Sequence, residues 1–421
     1  MARSFHPASW LFFILVVGIV GLTTGFNGCG SVSVSNNLPP ASSPTPAVQD
    51  ACVVPAAPTS FKEQFLIAGD VLESNAFFVY KLDQQTGVPT AMPWSPMLLD
   101  GAVMSEAPDG GGNYIYLGVR TGLDSASLET FSFPADGSAP VRVNSQPFNA
   151  DQLSFDPQRR YLYALRQGNI NNSHDPTVDS FLSVFQIDAS HIPHDTKQTL
   201  TLADRSPSFG FKAQGRALVV SREHTTSGNT SIAVLNRDCK TGSLTQVSET
   251  PIPRSLILSV PTAGNGVLAY RLCCDPFALS GAQLSRYDPS TQSVAAVPNG
   301  TLPDTFEAAV DHASDFVVTD AVENPKQTTS IPHDLVKVYR YDPQTLTFTQ
   351  TDQYQFPPLA GGSAEIPADI TFDLNDNFVY VSIHNAIAVF RLDHTTGKIT
   401  PIPGSPFPAP TLLDPVFVFG R

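Results

Sequence analysis

The chain has 421 residues, of which 42% are hydrophobic and only 15% charged, so it can bury a large core while Ser, Thr, Asn and Pro fill much of its surface. Its 24 Lys and Arg stand against 38 Asp and Glu, a formal net charge of -14, and no Lys/Arg cluster interrupts that field. A nucleic-acid backbone is therefore repelled, and DNA or RNA is excluded as a partner.

Taken in chain order, residues 1–28 read as a targeting segment. Arg3 and His6 precede an apolar run from Trp10 to Leu22, too short for a membrane span of roughly 20 residues and suited to a signal-peptide core. Phe26-Asn27-Gly28-Cys29-Gly30 resembles a bacterial lipoprotein cleavage box, with Cys29 as the lipid-bearing residue; plain secretion and an uncleaved anchor are the alternatives. Residues 29–60 change to Ser, Pro, Ala, Val and Asn, with prolines at 39, 40, 44, 46, 55 and 58. Such a stretch buries too little apolar surface to fold alone and reads as a disordered Ser/Pro-rich tether.

From residue 61 to 421 the chain reads as short β-rich runs separated by polar turns. The first unit, Phe61 to Met97, starts with Phe65-Leu66-Ile67-Ala68 and lacks an obvious innermost strand. Tyr114-Ile115-Tyr116-Leu117 belongs to the second unit, and Leu153-Ser154-Phe155-Asp156-Pro157 with Tyr161-Leu162-Tyr163-Ala164 to the third. The fourth to sixth are less regular, with runs at 217–221, 231–235, 256–260, 267–270, 283–287, 316–319 and 335–341. The seventh, Ile370 to Phe407, is the clearest, with four β-branched and aromatic runs, several alternating with polar residues. A spare run, Val416-Phe417-Val418-Phe419, follows it.

One turn ties the units together. Asp83-Gln84-Gln85-Thr86-Gly87, Asp238-Cys239-Lys240-Thr241-Gly242 and Asp393-His394-Thr395-Thr396-Gly397 share a carboxylate that can bond its own turn and a glycine free to take positive φ. Asp288-Pro289-Ser290-Thr291 and Asp342-Pro343-Gln344-Thr345 keep the first half, and degenerate copies fall at 134–137 and after Asp188. Positions 83, 134, 188, 238, 288, 342 and 393 are separated by 51, 54, 50, 50, 54 and 51 residues. Four strands per unit at such a period predict an all-β fold, a single seven-bladed β-propeller of antiparallel blades, its ring closed by the C-terminal strand.

Phe378-Val379-Tyr380-Val381-Ser382, the strand Val389–Asp393, Thr396-Gly397 and Pro403-Gly404-Ser405-Pro406-Phe407 resemble the repeat of lactonase-like seven-bladed propellers. That group includes the 6-phosphogluconolactonase type and surface proteins with Tyr-Val-Thr-Asn repeats. The matched residues are strand and turn positions, so the resemblance implies fold more than activity, and it carries no catalytic residue across.

The longest insertions fall between second and third strands, at 167–180, 222–229, 273–280 and 321–333, and these loops should share one face of the ring. They carry His174, Asp175, His224, His333 and Asp334 as candidate acid–base residues, with His384 in the seventh unit, because an imidazole oriented by a carboxylate can activate water. Asp179, Glu223, Asp275 and Glu323 are candidate binding residues. His191-Ile192-Pro193-His194 is expected on the opposite face. Beyond Cys29, the disulfide candidates are Cys52, Cys239, Cys273 and Cys274, with three pairings open; a bridge from Cys239 to the 273–274 pair would join neighbouring blades. Nothing has the spacing of a metal site, a nucleotide loop or a serine elbow, and no cofactor is expected.

Two readings follow. The first is a monomeric bacterial envelope lipoprotein, periplasmic or on the outer membrane and otherwise secreted, that binds a protein or glycan partner through its loop-rich face and meets the membrane only through its lipid. The alternative, implied by the resemblance, is a hydrolase opening a sugar or acyl lactone.

Overall fold

The computed structural model describes residues 61–421 apart from 70–74, 123–124, 167–179, 203, 213–214, 225–229, 253–256, 262–264, 272–280, 304, 323–332, 358–368, 384, 411–412 and 414–415. The signal peptide and tether of the sequence reading, residues 1–60, lie outside the described residues. The rest forms seven antiparallel sheets, and no α-helix occurs among the described residues. Blade 1 is built from Val416–Gly420, Gln64–Gly69 and Ala76–Leu82, with Pro89–Ala91 and Met97–Leu98 sharing the outer edge. Blade 2 comprises Ala102–Pro108, Tyr114–Arg120, Ala126–Ser132 and Val141–Pro147; blade 3, Gln152–Phe155, Tyr161–Arg166, Ser180–Ile187 and Pro193–Leu202. Blade 4 comprises Asp204–Lys212, Ala217–His224, Thr230–Arg237 and Leu244–Ile252; blade 5, Ile257–Pro261, Gly266–Arg271, Gly281–Asp288 and Ser293–Pro303. Blade 6 comprises Thr305–Val310, Phe316–Val322, His333–Asp342 and Thr347–Gln355; blade 7, Asp369–Phe372, Phe378–Ile383, Ala386–Asp393 and Lys398–Pro401, with Phe407–Pro408 continuing its edge.

Ring closure follows the expected scheme. Val416–Gly420 pairs antiparallel with Gln64–Gly69, Ala68 opposite Val416 and Gln64 opposite Gly420, so the C-terminal strand supplies the innermost strand that the first unit lacks. Blades 1 and 7 match in detail because both carry a Ser-Pro step in the outer strand. The Ser95 hydroxyl accepts the Val79 amide at 2.9 Å, and the Ser405 hydroxyl accepts the Val389 amide at the same distance.

The periodic turn does more than reverse the chain. In the Asp83 turn the carboxylate accepts the amides of Gln85 and Thr86, both at 2.9 Å, and the Gly87 amide donates to the Asp83 carbonyl at 2.7 Å. Asp238 and Asp393 repeat this, and Gly87, Gly242 and Gly397 sit at φ of 78°, 74° and 73°. Bonds from Thr86 amide to Asp83 and from Lys240 amide to Asp238 hold those carboxyls below the usual range. Each glycine also meets the preceding blade. A Cβ on Gly87 would lie 2.4 Å from the Phe378 ring, on Gly242 2.8 Å from Tyr161, and on Gly397 2.8 Å from Phe316. Their carbonyls accept from Tyr380 at 3.0 Å, Tyr163 at 2.6 Å and Thr351 at 2.9 Å. The sequence period is therefore also the period of the seams between blades.

The core lies in those seams as stacked apolar layers. Phe316, Val318, Ile370, Phe372, Val379 and Phe390 fill the gap between blades 6 and 7, and Tyr161, Tyr163, Phe209, Leu218 and Val220 that between blades 3 and 4. Blades 4 to 6, irregular in sequence, are nonetheless four-stranded, because alternation within each strand is enough to bury one side against each neighbour.

Candidate functional site

Every first strand runs from the face bearing the second-to-third-strand loops towards the face bearing the tight turns, and every second strand returns. The loop face near the axis is thus built from the starts of first strands and the ends of second strands. Arg166 stands opposite Phe181, seven residues before the turn residue Asp188; Arg222 stands opposite Ser231, seven before Asp238. Tyr270 opposite Ala282 puts Arg271, the last residue of its strand, in the same row of blade 5. Three consecutive blades therefore present an arginine at one equivalent position, and Arg120 ends the corresponding strand of blade 2.

Their surroundings differ. Arg120 is held by a 2.6 Å ion pair to Asp151, with side-chain exposures of 16% and 4%, across the boundary between blades 2 and 3. Arg222 donates to Gln246 at 3.1 Å and to Glu249 at 3.2 Å, and Glu249 also accepts from Ser231 at 2.6 Å. Arg166 is exposed, and its side chain has no hydrogen-bond or ion-pair partner among the described residues. A guanidinium on a rigid strand end suits a carboxylate, phosphate or developing oxyanion.

The first strands are bulged near the same face, between Val103 and Ser105, Arg205 and Ser208, and Thr305 and Ala308. A bulge frees one amide from the ladder and re-aims nearby side chains. In blade 6 that amide, on Glu307, donates to the buried Asp320 carboxylate at 2.5 Å. In blade 3 the Gln152 side chain clasps blade 4, accepting the Phe209 amide at 3.1 Å and donating to its carbonyl at 3.2 Å. The mouth is thus braced by side chains that bond backbone across blades.

Of the residues anticipated from sequence, His174, Asp175, Asp179, Asp275, Glu323 and His384 lie outside the described residues, as do Cys29, Cys52, Cys273 and Cys274. Glu223 and His224 were expected in a loop but end the second strand of blade 4, opposite Arg205 and Asp204; His333 and Asp334 likewise open the third strand of blade 6. These strands outrun the apolar core, and backbone pairing continues through polar residues where side-chain patterning gives no signal. Topology puts all four on the loop face. Cys239 is buried and disulfide-bonded, and its partner lies outside the described residues.

The turn face holds a different chemistry. His194 Nε2 lies 2.7 Å from Asp188, while His191 stacks on Tyr114 at 3.8 Å between ring centres, so these histidines serve separate partners. A groove of about 380 Å³ is lined by Asp315, Arg340, Tyr341, Asp342, Pro343, Thr347 and Thr349. Arg340 there is committed to the Thr395 carbonyl at 2.8 Å and to the Phe316 ring, 4.7 Å beneath its guanidinium. Among the described residues, no three His, Cys, Asp or Glu side chains are gathered to hold a metal ion.

The missed residues are the arginines. From Arg166 to the next turn Asp is 22 residues, but from Arg222 it is 16 and from Arg271 it is 17, because loops of unequal length intervene. Only strand register aligns them.

Residues 333–407, the third strand of blade 6 through blade 7, match the family described as Lactonase, 7-bladed beta-propeller. A candidate 6-phosphogluconolactonase from Bacteroides uniformis is similar over 86% of this chain and 100% of its own, at 10% identity and a TM-score of 0.64. One from Bacteroides fragilis is similar over 90% and 100%, at 12% identity and a TM-score of 0.63. The periplasmic gluconolactonase PpgL of Pseudomonas aeruginosa is similar over 82% and 97%, at 12% and 0.61. No curated protein matches the chain in sequence. At these identities the likeness is one of fold, a seven-bladed propeller, and the match to the lactonase family is confined to residues 333–407.

Proposed function

We propose that the protein is a hydrolase that opens the ring of a sugar lactone on its loop-bearing face. The observation that carries this reading is the row Arg166, Arg222 and Arg271 at the axial end of three adjacent blades, on a scaffold whose last blades match the lactonase family. Water adds to the lactone carbonyl carbon, the ring C–O bond breaks, the ring oxygen takes a proton, and the hydroxy acid ionises with release of one proton at neutral pH. Arginine stabilises the charge that builds on the carbonyl oxygen or holds an anionic substituent. His224 or His333, each beside a carboxylate residue in sequence, is the candidate base. Partner binding through the loop face, the other reading of the sequence, has no comparable geometric support.

Attachment to a bacterial envelope through Cys29 remains part of the proposal, since an extracytoplasmic compartment suits a disulfide at Cys239. Titration of proton release by the purified protein across a panel of five- and six-membered sugar lactones tests the activity. Release at least about a hundredfold above the buffer rate on one member is expected. Rates equal to buffer on every member would overturn the reading.

A further inference from the structure

The turn between first and second strands carries an aspartate at the same place in four blades: Asp109, Asp156, Asp311 and Asp373. Each caps its turn, accepting for example the amides of Asp315 and Phe316 at 2.8 and 2.9 Å in blade 6, and that of Phe378 at 2.6 Å in blade 7. Their partners differ. Asp156 has a fully buried ion pair to Arg237 at 2.7 Å, and Asp109 lies 3.9 Å from His191. Asp311 is fully buried, and its Oδ2 has no hydrogen-bond partner among the described residues. Asp373 is 1% exposed, and among the described residues its carboxylate is hydrogen-bonded by the amides of its own turn, those of Phe378 and Asn375.

A third carboxylate joins these two. Asp376, in the blade 7 turn at φ 60°, reaches across the seam, its Oδ1 accepting the His312 amide at 2.8 Å and lying 2.5 Å from the His312 ring Nδ1, its Oδ2 accepting the Ala313 amide at 3.0 Å. One side chain of blade 7 thus holds the turn of blade 6. Around it stand Asp311 and Asp315 from the blade 6 turn, Asp373 from its own turn, the uncharged Gln64 of blade 1 bonded to the Leu374 amide at 2.9 Å, and one imidazole. Arg340 and His394 pack on the Phe316 ring beside this turn, with Arg340 bonded to carbonyls of the 394–395 turn.

We infer that this seam is a pH-sensitive clasp, tight in mild acid and loosened above neutrality, built from three carboxyls gathered around one histidine. Burial, with the charge of Asp376 adding to it, pushes Asp311 up to about 7 and Asp373 up to about 6. Both folded-state values lie above the ordinary 3.8. Their contribution to stability is therefore fully present below that value and is lost as pH rises through about 6 and about 7. Protonation also turns the orphaned oxygen of Asp311 from an unsatisfied acceptor into a possible donor. The clasp adjoins ring closure, because Gln64, which accepts the Leu374 amide at 2.9 Å, stands opposite Gly420 of the closing strand.

The test compares the full chain with Asp311→Asn, which keeps an oxygen for the capped amides but cannot ionise. Thermal midpoints and amide exchange, corrected for intrinsic rates, are taken at pH 5.5 and 8.5. The variant should melt about 3 °C above wild type at pH 8.5 and within about 1 °C of it at pH 5.5. Protection of residues 312–316 should fall about tenfold between the two pH values in wild type and hold in the variant. The exposed turn carboxylates titrate alike in both proteins and cancel. Parallel melting profiles, or unchanged wild-type protection of 312–316, would overturn the clasp; Asp373→Asn provides the same comparison should Asp311→Asn not fold.

Discussion

Removing residues 416–421 abolishes cooperative folding of the propeller. The closing strand buries Val416, Phe417, Val418 and Phe419, and its aromatic rings join the layer between blades 1 and 2, where Phe419 stacks on Phe65 at 5.3 Å and meets Phe133 edge-on at 5.3 Å. At about 2 kcal/mol for each large side chain, the loss is on the order of 8 kcal/mol before the unpaired edge of Gln64–Gly69 is counted. That is comparable with the whole stability of an ordinary domain. Circular dichroism of the shortened chain should show a broad, low-temperature transition or none. A sharp melt at the wild-type temperature would show that the ring does not depend on this strand.

The second large effect lies between blades 3 and 4. Arg237→Met should cost about 3–5 kcal/mol, because it strips a fully buried carboxylate of its counter-charge. The Arg237 guanidinium donates to Asp156 at 2.7 Å, to the Gly215 carbonyl at 2.6 Å and to Gln158, and lies 5.9 Å from the Phe211 ring centre. Asp156 meanwhile accepts the amides of Arg160 and Tyr161 at 2.7 and 2.8 Å. Lysine cannot reproduce this forked geometry, so Arg237→Lys should recover little. Adding Asp156→Asn to Arg237→Met should restore part of the loss, since the orphaned charge goes with it. Guanidinium midpoints of the two singles and the double decide the matter: additive losses would mean the two groups act independently.

These two features differ in how openly the sequence displayed them. Closure was legible because its signals are local and apolar: one spare β run at the end, one missing at the start. The seven-fold period was legible for a similar reason, since a carboxylate bonding its own turn and a glycine at positive φ fall within five residues, as at Asp83 to Gly87. What the period also does, pressing Gly242 onto Tyr161 of the preceding blade, had no local sign. Asp156 and Arg237 are 81 residues apart, and nothing in either neighbourhood announces the pair. The same limit applied at the loop face. Histidines beside acids drew the eye to His174 and His333, whereas the arginine row appears only when register removes the unequal loops between Arg166, Arg222 and Arg271. Glu223 and His224 were placed on the correct face but in the wrong element, because their strand continues beyond its apolar pattern.

The central claim is that the loop face, not the turn face, opens a lactone. Its most direct test is kcat/KM for ring opening by wild type, Arg166→Ala and Lys398→Ala, the last removing an exposed cation on the turn side of blade 7. Arg166→Ala should lose about tenfold or more with an unchanged melting temperature, and Lys398→Ala should match wild type. Full activity in Arg166→Ala, or an equal loss in Lys398→Ala, would contradict the assignment.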